Sequence, residues 1–233
     1  MTQWDRAKAK NLGSEPSLFF QETIVKKLQD LGHGTAIDLG CFNGRILRYL
    51  LRNNFDAYGT DVPGTKDYLD VINEWSTEAG FGNRAFVTDY NSKLQDTLPI
   101  SRCDTVIMWR VVHLLSQNDL RTLLLLIDDV MQADGRVIMS ARMYSDKVAL
   151  HESWDTSWPG VTQGKLRKES PKRLYFHNPK SLRDYIYNVA PDLQNRWEYE
   201  TDFAHEFFEH EPTIHADDKK QAAPCVCAGF RLV

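Results

Sequence analysis

Thr35-Ala36-Ile37-Asp38-Leu39-Gly40-Cys41-Phe42-Asn43-Gly44 runs directly into Arg45-Ile46-Leu47-Arg48-Tyr49-Leu50-Leu51-Arg52-Asn53, and this stretch decides the fold. TAIDL is a short apolar run suited to a buried strand, whereas residues 44–53 carry apolar side chains at helical spacing with charge between them. A strand that ends in a glycine turn and opens a helix begins a βαβ unit. Glycines at such a turn let the backbone approach a ligand closely, and the helix N-terminus offers N–H groups and a positive dipole end. The spacing here is Gly-x-x-x-Gly with Asp38 two residues ahead of Gly40, not the Gly-x-Gly-x-x-Gly of a dinucleotide fold. The acid argues for a cationic or amine-bearing ligand. A glycine-bracketed turn can equally serve the turn and nothing else.

Working outward, the pattern repeats. Residues 57–61 (AYGTD) read as a second strand, 66–78 as a helix and 84–88 (RAFVT) as a third strand. Residues 104–109 (DTVIMW) follow as a fourth strand, 117–131 as a helix and 135–140 (GRVIMS) as a fifth strand after the Asp134-Gly135 turn. The expectation is an α/β fold, a doubly wound, mostly parallel sheet with helices on both faces. Residues 141–180 are irregular, aromatic and basic, and suit an insertion or lid more than a sheet unit. Residues 181–189 read as a helix, and 196–208 and 225–233 as two strands joined by an acidic loop. At the front, Ser14-Glu15-Pro16 has helix-start chemistry ahead of residues 18–31. The chain is thus read as a single domain over 1–233: a helical cap (1–34), a cofactor-binding core (35–140), a lid or substrate insertion (141–180), and a last helix with a C-terminal hairpin (181–233).

Acids recur at strand ends. Asp61 closes the second strand 17 residues after Gly44, where a carboxylate can take both hydroxyls of a ribose. Asp89 closes the third. Each alone suits a helix cap or a solvated loop, but acids ending several strands on one sheet edge suggest a site. The run DLGCFNGR, then GTD, VTD, CDTVIMWRVVHLL and MQADGRVIMS, resembles the class I S-adenosylmethionine-dependent methyltransferases over about residues 35–140. The resemblance implies a seven-stranded sheet with its last strand antiparallel and S-adenosylmethionine as cofactor, leaving S-adenosylhomocysteine as product. It implies that Asp38, Gly40, Cys41 and Gly44 hold the methionine part, that Asp61 binds the ribose and Asp89 the adenine amine, and that Val62 and Tyr90 flank the adenine ring. Trp109 and Arg110 then border the methyl group. One departure stands out: Phe42 occupies the family's usual central glycine, where a bulky ring would narrow the pocket or tilt the cofactor.

Methyl transfer draws its rate from positioning, and a base is needed only for a poorly acidic acceptor. His113, just past the fourth strand, is the candidate base; it can equally be a hydrogen-bonded histidine at a helix start. His205, His210 and His215 recur every five residues, which on a strand alternates faces, so no metal site is expected. The stretch around them reads as a solvated acidic strand and loop. Cys225 and Cys227 share one face of a strand and read as small core residues. Between Lys165 and Arg183 lie seven Lys/Arg and one Glu, whereas Glu198 to Asp218 holds eight acids and no Lys/Arg. Such runs are usually solvated faces. The alternative is that Arg167 and Arg173, with Trp154 and Trp158, form a lid over an anionic substrate.

The 233 residues carry 28 Lys+Arg against 32 Asp+Glu, a formal charge of −4, which argues against an extended nucleic-acid track. Four scattered cysteines show no disulfide or metal framework. The polar first twenty residues and the lack of a long apolar run predict neither signal peptide nor membrane span, hence a cytoplasmic protein. The leading expectation is methyl transfer to an O or N of a small metabolite. An NAD(P)-dependent oxidoreductase and a non-catalytic binding module are the alternatives. Oligomeric state is not legible.

Overall fold

The computed structural model describes residues 15–89, 92–145, 150–154, 158–166, 168–210 and 222–233. The chain enters through a π-helical turn, Phe20–Val25, that continues into α1, Lys26–Asp30, burying Phe20, Ile24, Val25 and Leu28. β1 (Thr35–Leu39), α2 (Arg45–Arg52), β2 (Asp56–Asp61), α3 (Lys66–Glu78) and β3 (Ala85–Val87) follow. Then come α4 (Leu94–Thr97), β4 (Cys103–Trp109), α5 (Gln117–Val130) and β5 (Met131–Arg142). After the segment 143–178, α6 (Pro179–Val189) leads to two long strands. Their order along the chain is preserved in the labels once three short strands are placed: β6 (Glu152–Trp154), β7 (Val161–Lys165), β8 (Arg173–Phe176), β9 (Trp197–His210) and β10 (Ala222–Leu232).

Seven strands form one sheet in the order β3-β2-β1-β4-β5-β10-β9. The first five are mutually parallel, and β10 enters antiparallel between β5 and β9. This is the expected topology, antiparallel last strand included. The strand order reverses between β1 and β4, which makes their carboxyl ends the crevice where ligands bind in open α/β sheets.

Alternation along the strands feeds two cores. Ile37, Leu39, Val106, Met108, Val137 and Met139 face α5 and α6, while Ala36, Ile107 and Ile138 face the N-terminal helix, α2 and α3. α5 forms because Ser116 caps it, its Oγ accepting from the Asp119 N–H at 3.2 Å, and because Leu120, Leu123, Leu124 and Ile127 make one buried stripe. α6 starts in a capping box between Asn178 and Ser181 with Pro179 in its first turn. Cys225 and Cys227 are buried core residues, as expected.

The segment 141–180 differs from its expectation as an irregular stretch. It contains a second sheet, β6-β7-β8, all antiparallel. The strands are too short for a clear period-two signal, and only their inner edge is apolar: Val161, Tyr175 and Phe176 are buried. β8 is sewn to the main sheet's exit, since Met143 bridges Phe176 and the Tyr144 N–H donates to the Phe176 carbonyl at 2.8 Å.

Candidate functional site

At the switch point the loop after β1 presses on the loop after β4. Gly40 has φ +78°, and a Cβ there would lie 2.5 Å from Val111 Cγ2. Gly44 has φ +68°, with Ile72 of α3 2.8 Å from where its Cβ would be. Both glycines are therefore demanded by backbone conformation and packing, whatever else the turn does. The Thr60 carbonyl takes the N–H groups of Gly40 (2.8 Å) and Cys41 (3.1 Å), which folds the turn over the end of β2. Cys41 points inward, its Sγ 2.8 Å from where a Gly59 Cβ would lie, and burial holds its thiol well above the usual range.

Asp38 is 2% exposed, and its Oδ2 accepts the Leu47 N–H at 3.0 Å. Asn43 Oδ1 accepts from Arg45 N at 3.4 Å. The turn's carboxylate thus caps α2 from beneath and takes an N–H group expected to greet a ligand. Burial, with the Asp61 charge adding, pushes Asp38 up to about 7.

Asp61, buried at 8% exposure, is the carboxylate at the exit of β2 on this edge. The Phe42 N–H donates to its Oδ2 and the Val62 N–H to its Oδ1, both at 2.7 Å, so two rigid backbone groups fix its plane. Burial raises its pKa, against the pull of those N–H groups. Register puts Asp61 opposite Val87 and one residue beyond the Leu39–Thr60 pair, hence level with Gly40. Asp89 lies two residues past β3 and carries Ser92 on its carbonyl. Val62 is 42% exposed beside Asp61. Tyr90 lies outside the described residues.

Phe42 keeps the backbone of a glycine, φ +46°, and swings its ring onto Tyr68 of α3 with centroids 4.5 Å apart. Trp109 ends β4 as expected, but its ring is boxed by Phe19, Phe20 and Phe207 and its indole N–H donates to Glu209 Oε2 at 2.8 Å. Glu209 overturns the reading of its segment as a solvated strand. It is fully buried, ion-paired with Arg45 at the start of α2, and within 3.5 Å of Ser17 Oγ. A signal for it existed: Phe203, Phe207 and Glu209 share one face of β9, and the first two are core.

Arg110 follows with φ +63°, its N–H donating to the Ser140 carbonyl (3.1 Å) and Oγ (2.9 Å). His113 sits in a 3-10 turn, Val112–Leu114, and is 3% exposed. Its Nδ1 is buried without a hydrogen-bond partner among the described residues. Burial, then the charges of Arg110, Arg142 and Arg173, hold the imidazole well below its usual range, so it is neutral at pH 7. The Arg173 charge on β8 thus acts on His113, in the smallest measure of the three. Arg142, which ends β5 and is buried, is a member that the sequence reading missed. Trp158 packs edge-on against Tyr185 of α6 and anchors the small sheet, whereas Trp154 lies outward under Lys172, whose Nζ is 3.9 Å from its ring centroid. Arg167 lies outside the described residues.

The architecture is the class I S-adenosylmethionine-dependent methyltransferase fold, a seven-stranded sheet whose last strand runs antiparallel, with a further small sheet. No protein-family model and no curated protein matches the chain. Solved structures do. An S-adenosylmethionine-dependent methyltransferase from Clostridium acetobutylicum ATCC 824 superposes with a TM-score of 0.59 at 11% identity, covering 91% of this chain and 90% of that one. The glycopeptide N-methyltransferase MtfA, in complex with S-adenosyl-L-homocysteine, gives 0.58 at 12% identity over 100% and 98% of the two chains. TehB from Haemophilus influenzae gives 0.60 at 14% identity over 92% and 66%. No helix among the described residues is long and apolar enough to cross a membrane.

Proposed function

We propose that this chain is an S-adenosylmethionine-dependent methyltransferase acting on an O or N of a small metabolite. The observation that carries the reading is Asp61: a carboxylate fixed by two backbone N–H groups, at the exit of β2, level with the glycine turn and beside the switch point. The donor set fits the cofactor. A carboxylate so oriented accepts from the paired hydroxyls of a ribose, and exposed Val62 beside it offers apolar contact to a base. Asp89 completes the adenine end, with Gly40, Cys41 and Gly44 shaping the methionine end. Asp38 acts there through α2, which it caps, and through its charge. Trp109 and Arg110 border the reacting centre.

When bound, the cofactor supplies a methyl group on a sulfonium: an acceptor lone pair forms the new bond to carbon, the C–S pair returns to sulfur, and the acceptor's proton departs. The chain's part is to position the partners and exclude water. His113, neutral at pH 7, is the base this reading assigns to take the proton. Residues 35–140 then hold the cofactor and 141–180 face the acceptor.

Titration calorimetry with S-adenosylhomocysteine, NAD and NADP tests this. Binding of S-adenosylhomocysteine alone supports the reading; binding of NAD or NADP instead favours an oxidoreductase, and binding of none favours a non-catalytic module. Transfer of label from S-adenosylmethionine into a metabolite extract then identifies the acceptor by mass.

A further inference from the structure

Asp61 is held by two backbone groups, and both residues that hold it carry an exposed apolar side chain. Its Oδ2 takes the N–H of Phe42, from the glycine turn, and its Oδ1 the N–H of Val62, the next residue along, each at 2.7 Å. Phe42 is 46% exposed and Val62 42%. The Phe42 ring does not hang free. A 3-10 turn, Pro63–Thr65, is closed by the Thr65 N–H and Oγ1 on the Val62 carbonyl at 3.0 and 2.7 Å, and leads into α3 directly after Asp61 and Val62. Tyr68, in the first turn of α3, receives the Phe42 ring with centroids 4.5 Å apart. The ring thus joins the glycine turn to α3 beside the carboxylate that the cofactor reading assigns to the ribose.

Folding alone does not explain a phenylalanine at this point. Its φ is +46°, a region that glycine enters freely and a residue with a β-carbon enters only at a cost. Nearly half of the residue stays in solvent, so the contact with Tyr68 does no more than offset that cost. Gly40 and Gly44 are demanded by their packing, whereas position 42 has the same left-handed backbone and carries a bulky ring. A strained residue kept at the edge of a candidate site points to a use in binding. We infer that the Phe42 ring is a cofactor-contacting surface: it packs against the ribose whose hydroxyls Asp61 accepts, with Tyr68 as its backing. A ribose presents hydroxyls at one edge and C–H groups on its faces, so a fixed carboxylate beside a flat apolar ring matches both. This rests on the methyl-transfer reading above and deepens it, making position 42 a determinant of cofactor affinity where bulk suggested a constriction.

The test is calorimetric titration of S-adenosylhomocysteine into the full wild-type chain, Phe42→Gly and Phe42→Tyr, with NMR of the wild-type complex. Phe42→Gly weakens binding about fivefold, the worth of burying the exposed half of a phenylalanine side chain. Phe42→Tyr keeps the flat face and most of the affinity. In the wild-type complex the ribose protons show nuclear Overhauser contacts to the Phe42 ring, a readout that stands whether or not a variant folds; cooperative urea unfolding verifies that both variants do. Unchanged or tighter binding by Phe42→Gly overturns the proposal, as does a wild-type complex without ring-to-ribose contacts. Both outcomes leave the cofactor reading in place, because S-adenosylhomocysteine is bound in each. Failure of the wild-type chain to bind S-adenosylhomocysteine overturns the cofactor reading itself, and the part assigned to the ring falls with it.

Discussion

Asp38→Asn isolates the cost of an ionised carboxylate beneath the glycine turn. Asp38 is 2% exposed, and its Oδ2 accepts the Leu47 N–H at 3.0 Å. Burial carries its pKa from 3.8 to about 7. The folded protein therefore binds a proton between those values that the unfolded chain has released. Stability falls as pH rises from about 4 through about 7, and the full penalty remains above that. A displacement of about 3 units corresponds to roughly 4 kcal/mol as a ceiling. Asparagine keeps an oxygen for Leu47 and cannot ionise. Relative to wild type, Asp38→Asn gains stability as pH is raised from 5 to 8, by about 2 to 4 kcal/mol. Asp61 titrates in both proteins, so the difference reports Asp38. Urea unfolding followed by circular dichroism across that range measures it, and parallel stability–pH profiles for the two proteins would refute the reasoning.

Gly40→Ala forces a side chain onto φ +78° and into Val111 Cγ2; the expected loss in urea unfolding is about 3 kcal/mol, part of it recovered when Val111→Ala opens the space. Glu209→Gln leaves the Trp109 indole an acceptor but strips Arg45 of its buried partner, for an expected loss of about 3 kcal/mol by the same assay. Phe42→Gly relieves a left-handed backbone and forfeits the ring contact with Tyr68; these offset, and stability changes by less than about 1 kcal/mol. A loss several times larger would mean that the Phe42 ring is a structural anchor of the turn.

Much of the scaffold was written in local pattern. β1 and α3 fall on the residues that pattern marks, because β1 is a short continuous run buried on both faces and α3 carries one buried stripe. The glycine turn and the strand-end acids were legible for the same reason, being punctuation between periodic segments. What escaped depends on contacts distant in sequence. β5 begins at Met131, before the Asp134-Gly135 turn signal, and continues to Arg142 because β10 pairs along it, so Arg142 was cut off from the expected strand. β6 to β8 are three to five residues long, below the length at which alternation speaks. Glu209 is burdened by its neighbours: Glu206, Phe208 and the acids around them suggest solvent, while its inward face is set by Phe203 and Phe207. Its partner Arg45 is 164 residues away. Arg173 was noticed as charge, but its action on His113 is a property of the fold, since β8 must first dock on the exit of β5.

The central claim is that the carboxylate at the end of β2 holds the ribose of S-adenosylmethionine. Calorimetric titration of S-adenosylhomocysteine into the wild-type chain and into Asp61→Ala tests it most directly. The account predicts binding to the wild type and a loss of about tenfold or more in the variant, as expected when a charge-assisted bond is removed. Wild-type affinity in Asp61→Ala, or no binding to either protein, would contradict it.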